Sequence, residues 1–86
     1  MPRALSIHRS IVPAGERAKF LERLRIRHAH YVSAKCNFWV FEEAALAGAF
    51  IEFAEGPDVA TLAAAHAASP DPVLDPARIY TAVELT

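Results

Sequence analysis

This chain of 86 residues is short of several features that would narrow its role. It has one cysteine, Cys36, so no intramolecular disulfide can form and a reducing compartment is the default expectation. It has no surplus of either charge: 9 lysines and arginines stand against 10 aspartates and glutamates, a formal net charge of -1. Without a net field of either sign, neither nucleic acid nor an anionic membrane is an expected partner. No apolar run approaches the roughly 20 residues that span a bilayer. Met1-Pro2-Arg3-Ala4 leads into strand-like sequence without the apolar core of a signal peptide. These absences predict a cytoplasmic, soluble protein, with residues 1–86 forming one domain near the lower end of what a single core supports.

What the chain has in quantity is apolar side chain, 53% of all residues. Cys36 to Glu55, CNFWVFEEAALAGAFIEFAE, reads as two strands joined near Ala47-Gly48, because aromatic and β-branched residues flank a glycine. Glu42 to Ala49 has strong helix propensity, and the alternative is a helix from Glu42 to Glu55 that would make the whole protein α-helical. The strand reading is preferred, with a helical turn over Ala44 to Ala47 at the tip. Side chains alternate between the faces of a sheet, so Phe38 and Val40 oppose Trp39 and Phe41, while Ile51 and Phe53 oppose Phe50 and Glu52. Both faces carry large apolar groups, and both need cover.

The flanking segments supply one cover. Leu5 to Val12 alternates as a first strand, with Leu5, Ile7 and Ile11 on one side and Ser6, His8 and Ser10 on the other. Pro13-Ala14-Gly15 ends it. A helix from Glu16 to about Ala34 has Phe20, Leu21, Leu24, His28, Tyr31 and Val32 as its inward stripe. Arg17, Lys19, Arg23, Arg25 and Arg27 are expected on its solvated surface. Gly56-Pro57-Asp58 opens a second helix that carries Leu62 and His66 on one side and stops at Ser69-Pro70. A proline-rich connector follows, and Arg78 to Leu85 reads as a last strand.

This order predicts an α+β, ferredoxin-like βαββαβ domain: a four-stranded antiparallel sheet with both helices on one face. The helix-side core is expected from Leu5, Ile7, Ile11, Phe38, Val40, Ile51, Phe53, Ile79, Val83 and Leu85. The other face would then expose Trp39, Phe41, Phe50 and Tyr80 beside His8 and Glu52, an apolar patch of a kind monomeric proteins rarely show. A second copy packed by two-fold symmetry covers it, giving a homodimeric α/β barrel.

Several local segments carry a resemblance. They are the strand end Pro13-Ala14-Gly15-Glu16, Cys36 at the entry to the second strand, the third-strand segment Phe50-Ile51-Glu52-Phe53, and the helix from Leu62 through Ala65-His66 to Ser69-Pro70. In these and in its element order, over nearly its whole length, the chain resembles the dimeric α/β-barrel superfamily, most of all antibiotic biosynthesis monooxygenase-like domains. The family often carries Glu-x-Trp where this chain has Glu52-Phe53-Ala54, and its haem-degrading branch has an asparagine on the first strand where this chain places His8. The resemblance implies a cofactor-free oxygenase acting on a phenolic, polyketide-like substrate.

The predicted open face mixes His8, Glu52 and Tyr80 with Trp39, Phe41 and Phe50, apolar walls around a few polar groups, which is the usual signature of a ligand pocket. Through the resemblance, His8 or Glu52 deprotonates a small aromatic substrate and the anion passes an electron to dioxygen, with Tyr80 beside them as the third catalytic candidate. Trp39, Phe41 and Phe50 hold the ring and exclude water. The competing reading is a non-catalytic dimer in which His8 and Glu52 form a polar pair among interface aromatics. His66 matches the family's helix histidine, a haem ligand in the one case and a capping or packing residue in the other. His28 and His30 lie on different faces of their helix with no carboxylate or cysteine to complete a metal set, and Cys36 is expected as a small buried thiol.

Overall fold

The computed structural model describes residues 2–85. In chain order it holds β1 (Ala4–Ile11), a short 3₁₀ turn (Ala14–Glu16), α1 (Arg17–Ser33), β2 (Asn37–Glu42), β3 (Ala49–Gly56), α2 (Val59–Ala67) and β4 (Tyr80–Thr81). The strands form one antiparallel sheet in the order β2-β3-β1-β4, and α1 and α2 pack on the same face of it. This is the expected ferredoxin-like arrangement. No helix among the described residues is long and apolar enough to cross a membrane.

The helix ends follow from local chemistry. α2 begins at Asp58, whose carboxylate accepts a 2.7 Å hydrogen bond from the Thr61 amide and so satisfies a first-turn donor. α1 ends in a Schellman turn: the Cys36 amide donates to the Tyr31 carbonyl at 2.8 Å and the Lys35 amide to the Val32 carbonyl at 3.1 Å. That turn needs a left-handed residue, and Lys35 takes it at φ 64° where glycine is the usual choice. The cross-connection is short enough to drop Cys36, buried, directly into β2. The tip of the β2–β3 hairpin is a pair of turns rather than a helix, with the Leu46 amide on the Glu43 carbonyl and the Ala49 amide on the Leu46 carbonyl, both at 3.2 Å.

The main correction concerns which side of the sheet faces the helices. Phe38 and Val40 of β2 do, as expected, and Trp39 and Phe41 do not. On β1 and β3 the expected sides are reversed. Ala4, Ser6, His8 and Ser10 face the helices, as do Phe50, Glu52 and Ala54, whereas Leu5, Ile7, Ile11, Ile51 and Phe53 lie on the open side. The register explains it. Residues paired across strands share a face, and the pairs Trp39 with Phe53 and Phe53 with Ile7 tie the open side of all three strands together. Counting apolar residues strand by strand missed this, because here the more apolar side of β1 is not the side covered by helices.

The core is small. Leu62 is fully enclosed, and around it lie Ala4, Leu24, Tyr31, Cys36, Phe38, Ala54 and Ala65. Burial of a leucine side chain of this kind contributes about 1.5–3 kcal/mol. Ile79 packs against this cluster, but Val83 and Leu85 are exposed and lie outside the strand, so the last strand is far shorter than Arg78–Leu85. β4 pairs with β1 only at Ala4 and Leu5, and the outer edge of β1 from Ile7 to Ile11 carries no strand partner among the described residues.

Candidate functional site

The helix-side face of β1 and β3 is more polar than a core requires, and it does not close against the helices. Between the sheet, α1, α2 and the connector that follows α2 lies a cavity of about 500 Å³, within the range of small-molecule sites. Phe20, Tyr31 and Phe38 give it aromatic walls, and Ser6, His8, Glu52 and His66 give it polar ones.

Two hydrogen-bonded systems organise the polar side. In the first, His66 uses both ring nitrogens: Nε2 lies 2.7 Å from Ser6 Oγ and Nδ1 lies 2.7 Å from Tyr31 Oη. A neutral imidazole donates through one nitrogen and accepts through the other, so one of these hydroxyls donates to the ring and the other accepts. Burial lowers the pKa of His66, assisted by nearby His30, and burial raises that of the Tyr31 phenol. At neutral pH the chain Ser6–His66–Tyr31 is therefore uncharged. It joins β1, α2 and α1 at a single buried point.

In the second system Arg27 reaches inward from α1. Its Nε and Nη2 donate to Glu52 Oε1 at 3.2 and 2.8 Å, and its Nη1 donates to Asp71 Oδ2 at 2.8 Å. The Arg27 and Glu52 side chains are only 12% and 7% exposed. Glu52 Oε2 and, nearby on the same face, Ser10 Oγ are enclosed without a hydrogen-bond partner. A half-paired carboxylate beside a cavity is a place where a ligand or water donor is wanted.

Of the six residues expected to share a pocket, the structure brings two into this cavity. His8 and Glu52 face each other across β1 and β3 and both line it. Phe50 lies on the same face but outside the cavity, its ring 4.8 Å from that of Phe20 and capped by the Arg17 guanidinium. Trp39, Phe41 and Tyr80 project from the opposite face, with the sheet between them and His8. Glu52 pairs with Arg27 rather than with His8.

Three contributors were not expected at the site. Arg27 was assigned to the solvated surface of α1, although it lies three residues after Leu24 and four before Tyr31, the spacing of the inward stripe. Ser6 was placed on the face that carries His8 but given no role there, and Tyr31 was an ordinary core aromatic; only their convergence on His66 gives them meaning. Haem ligation by His66 would require breaking one of its two hydrogen bonds, since neither nitrogen is free. Among the described residues no group of three or more histidines, cysteines, aspartates and glutamates is arranged to hold a metal ion.

No protein-family model matches this chain, and neither a curated protein nor a solved structure matches it.

Proposed function

We propose that this chain is a dimeric α/β-barrel protein of the monooxygenase-like kind, in which each protomer binds a small phenolic substrate in its own helix-side cavity and oxidises it with dioxygen and no cofactor. The observation that carries this reading is the 500 Å³ cavity itself, aromatic-walled and bordered by His8 and Glu52. The phenol lies against Phe20 and Phe38, and His8 takes its proton. The phenolate passes one electron to dioxygen, and the resulting radical and superoxide combine at a ring carbon. Loss of water then leaves a quinone, so that one oxygen atom of dioxygen ends in the product and the other in water. Tyr31, His66 and Ser6 hold the far wall without carrying charge.

The homodimer uses the other face. Ile7, Ile11, Trp39, Phe41 and Tyr80 are all more than two-fifths exposed there, next to half-buried Ile51 and Phe53. Arg9 lies among them, between Ile7 and Ile11, and the apolar residues around it favour a second copy as their cover. Trp39, Phe41 and Tyr80 are thereby interface residues rather than walls of the substrate site. The single buried thiol of Cys36 fits a reducing, cytoplasmic setting.

Oxygen uptake with naphthol-type phenols tests the chemistry. His8→Ala is expected to lower the rate by about a hundredfold or more, the usual contribution of a general base. A second reading, a binding module without chemistry, is favoured by the engagement of Glu52 with Arg27, which leaves one fewer free base. Naphthol binding without oxygen uptake establishes that reading and removes the first. Light scattering tests the dimer: a monodisperse monomer at micromolar concentration overturns it, and Phe41→Glu is expected to produce one.

A further inference from the structure

An arginine presents its five N–H donors along fixed edges of a plane, so which edge is occupied is informative. Glu52 takes the Nε and Nη2 donors of Arg27 and holds the guanidinium rigidly against the sheet. The remaining Nη1 edge meets Asp71. Unlike Glu52, Asp71 does not belong to the sheet or to either helix. It sits in the connector between α2 and β4, flanked by Pro70 and Pro72, in a stretch without repetitive structure. The same Asp71 oxygen lies 3.7 Å from Nε of Arg23, one turn earlier on α1. Arg23, Arg27 and Asp71 all border the cavity that Phe20 and Phe38 wall. The cavity thus has two arginines at one end, aromatic faces beside them, and a carboxylate of the chain's own in contact with both cations.

We propose that the ligand of this cavity is a small aromatic acid, whose carboxylate displaces Asp71 from Arg27 and Arg23 while its ring lies against Phe20 and Phe38. Asp71 is then an internal stand-in for the ligand's acid group, and the connector is held down by it until the ligand arrives. The inference rests on the aromatic-ligand reading above and adds the charge of the substrate. Exchange of one carboxylate for another conserves the charge-assisted hydrogen bond to Nη1, so the ring burial decides the balance. A neutral phenol leaves Asp71 in place and gains nothing from the arginines.

The consequence for Asp71→Asn is the opposite of that expected for a structural contact. Removing the internal competitor raises affinity for an aromatic carboxylate, on the order of fivefold for a partly exposed ion pair. Calorimetric titration of the wild-type chain and Asp71→Asn with benzoate and with phenol at pH 7 reads this directly. Benzoate and phenol are expected to bind wild type with similar affinity, benzoate to gain about fivefold in Asp71→Asn, and phenol to bind both chains equally. Arg23→Gln, at a largely exposed position, is expected to weaken benzoate alone. If phenol binds but Asp71→Asn fails to strengthen benzoate, the aromatic-acid assignment is wrong and the phenol reading stands. If neither compound binds, both fall together.

Discussion

Arg27 and Glu52 are joined across the gap between α1 and the sheet by two hydrogen bonds onto one carboxylate oxygen, 2.8 and 3.2 Å long. Because both groups are desolvated, the attraction between them largely offsets the cost of burying each, and removing one partner strands the other. Arg27→Ala is expected to lose about 3–5 kcal/mol of stability in urea titration, whereas the paired change Arg27→Met with Glu52→Leu is expected to cost far less than the two single changes summed.

His66 makes a different demand on pH. Its pKa in the folded protein lies below the ordinary 6.5, chiefly because it is buried. The unfolded chain therefore binds the proton more readily, and stability falls as pH drops below 6.5 and on through the lowered folded value. His66→Gln is expected to flatten that part of the stability profile in thermal melts taken across the acid range. Tyr31→Phe keeps the shape but strands Nδ1, and is expected to cost about 1–3 kcal/mol.

Glu42 carries the stronger acid signature. The Arg17 guanidinium, bonded to it at 2.7 and 2.9 Å, and the Gly48 amide hold its pKa down to about 2, against an ordinary 4.5. The stabilising effect is complete above 4.5 and is lost as pH falls towards 2, since the unfolded carboxylate protonates first. Wild type and Glu42→Gln are expected to differ in melting temperature at neutral pH and to converge over that acid window.

Two backbone positions have opposite expected outcomes. Lys35 holds a left-handed conformation at φ 64°, so Lys35→Gly relieves strain and is expected to stabilise by about 0.5–1 kcal/mol in chemical denaturation. Gly48, at φ 89°, lies where an added Cβ would sit 2.4 Å from the Val12 carbonyl oxygen. Gly48→Ala is expected to destabilise by more than 1 kcal/mol, through displacement of the hairpin tip from the end of β1, where Val12 donates to the Gly48 carbonyl.

The element order was legible because punctuation residues sit where the chain turns: Pro13, Gly48, Pro57 and Pro70 bracket the helices and the hairpin. The assignment of sheet faces was not, because a strand with apolar residues on its open side looks, taken alone, like one facing a core. Only register decides, and register is a property of pairs of strands. His8 and Glu52 were visible as polar residues among apolar ones. Arg27, Tyr31 and Ser6 were not, since each is unremarkable until segments far apart in sequence bring it to Glu52 or His66.

The shortness of β4 bears on how the chain behaves when it is concentrated. Among the described residues the outer edge of β1 from Ile7 to Ile11 has no strand partner, and Ile7 and Ile11 also lie on the open, largely apolar face. A folded chain thus offers strand pairing and apolar burial at one place, and any neighbour that meets it there can use both. Recovery after denaturation becomes a contest between folding and clumping, one in which dilution helps and crowding during refolding harms.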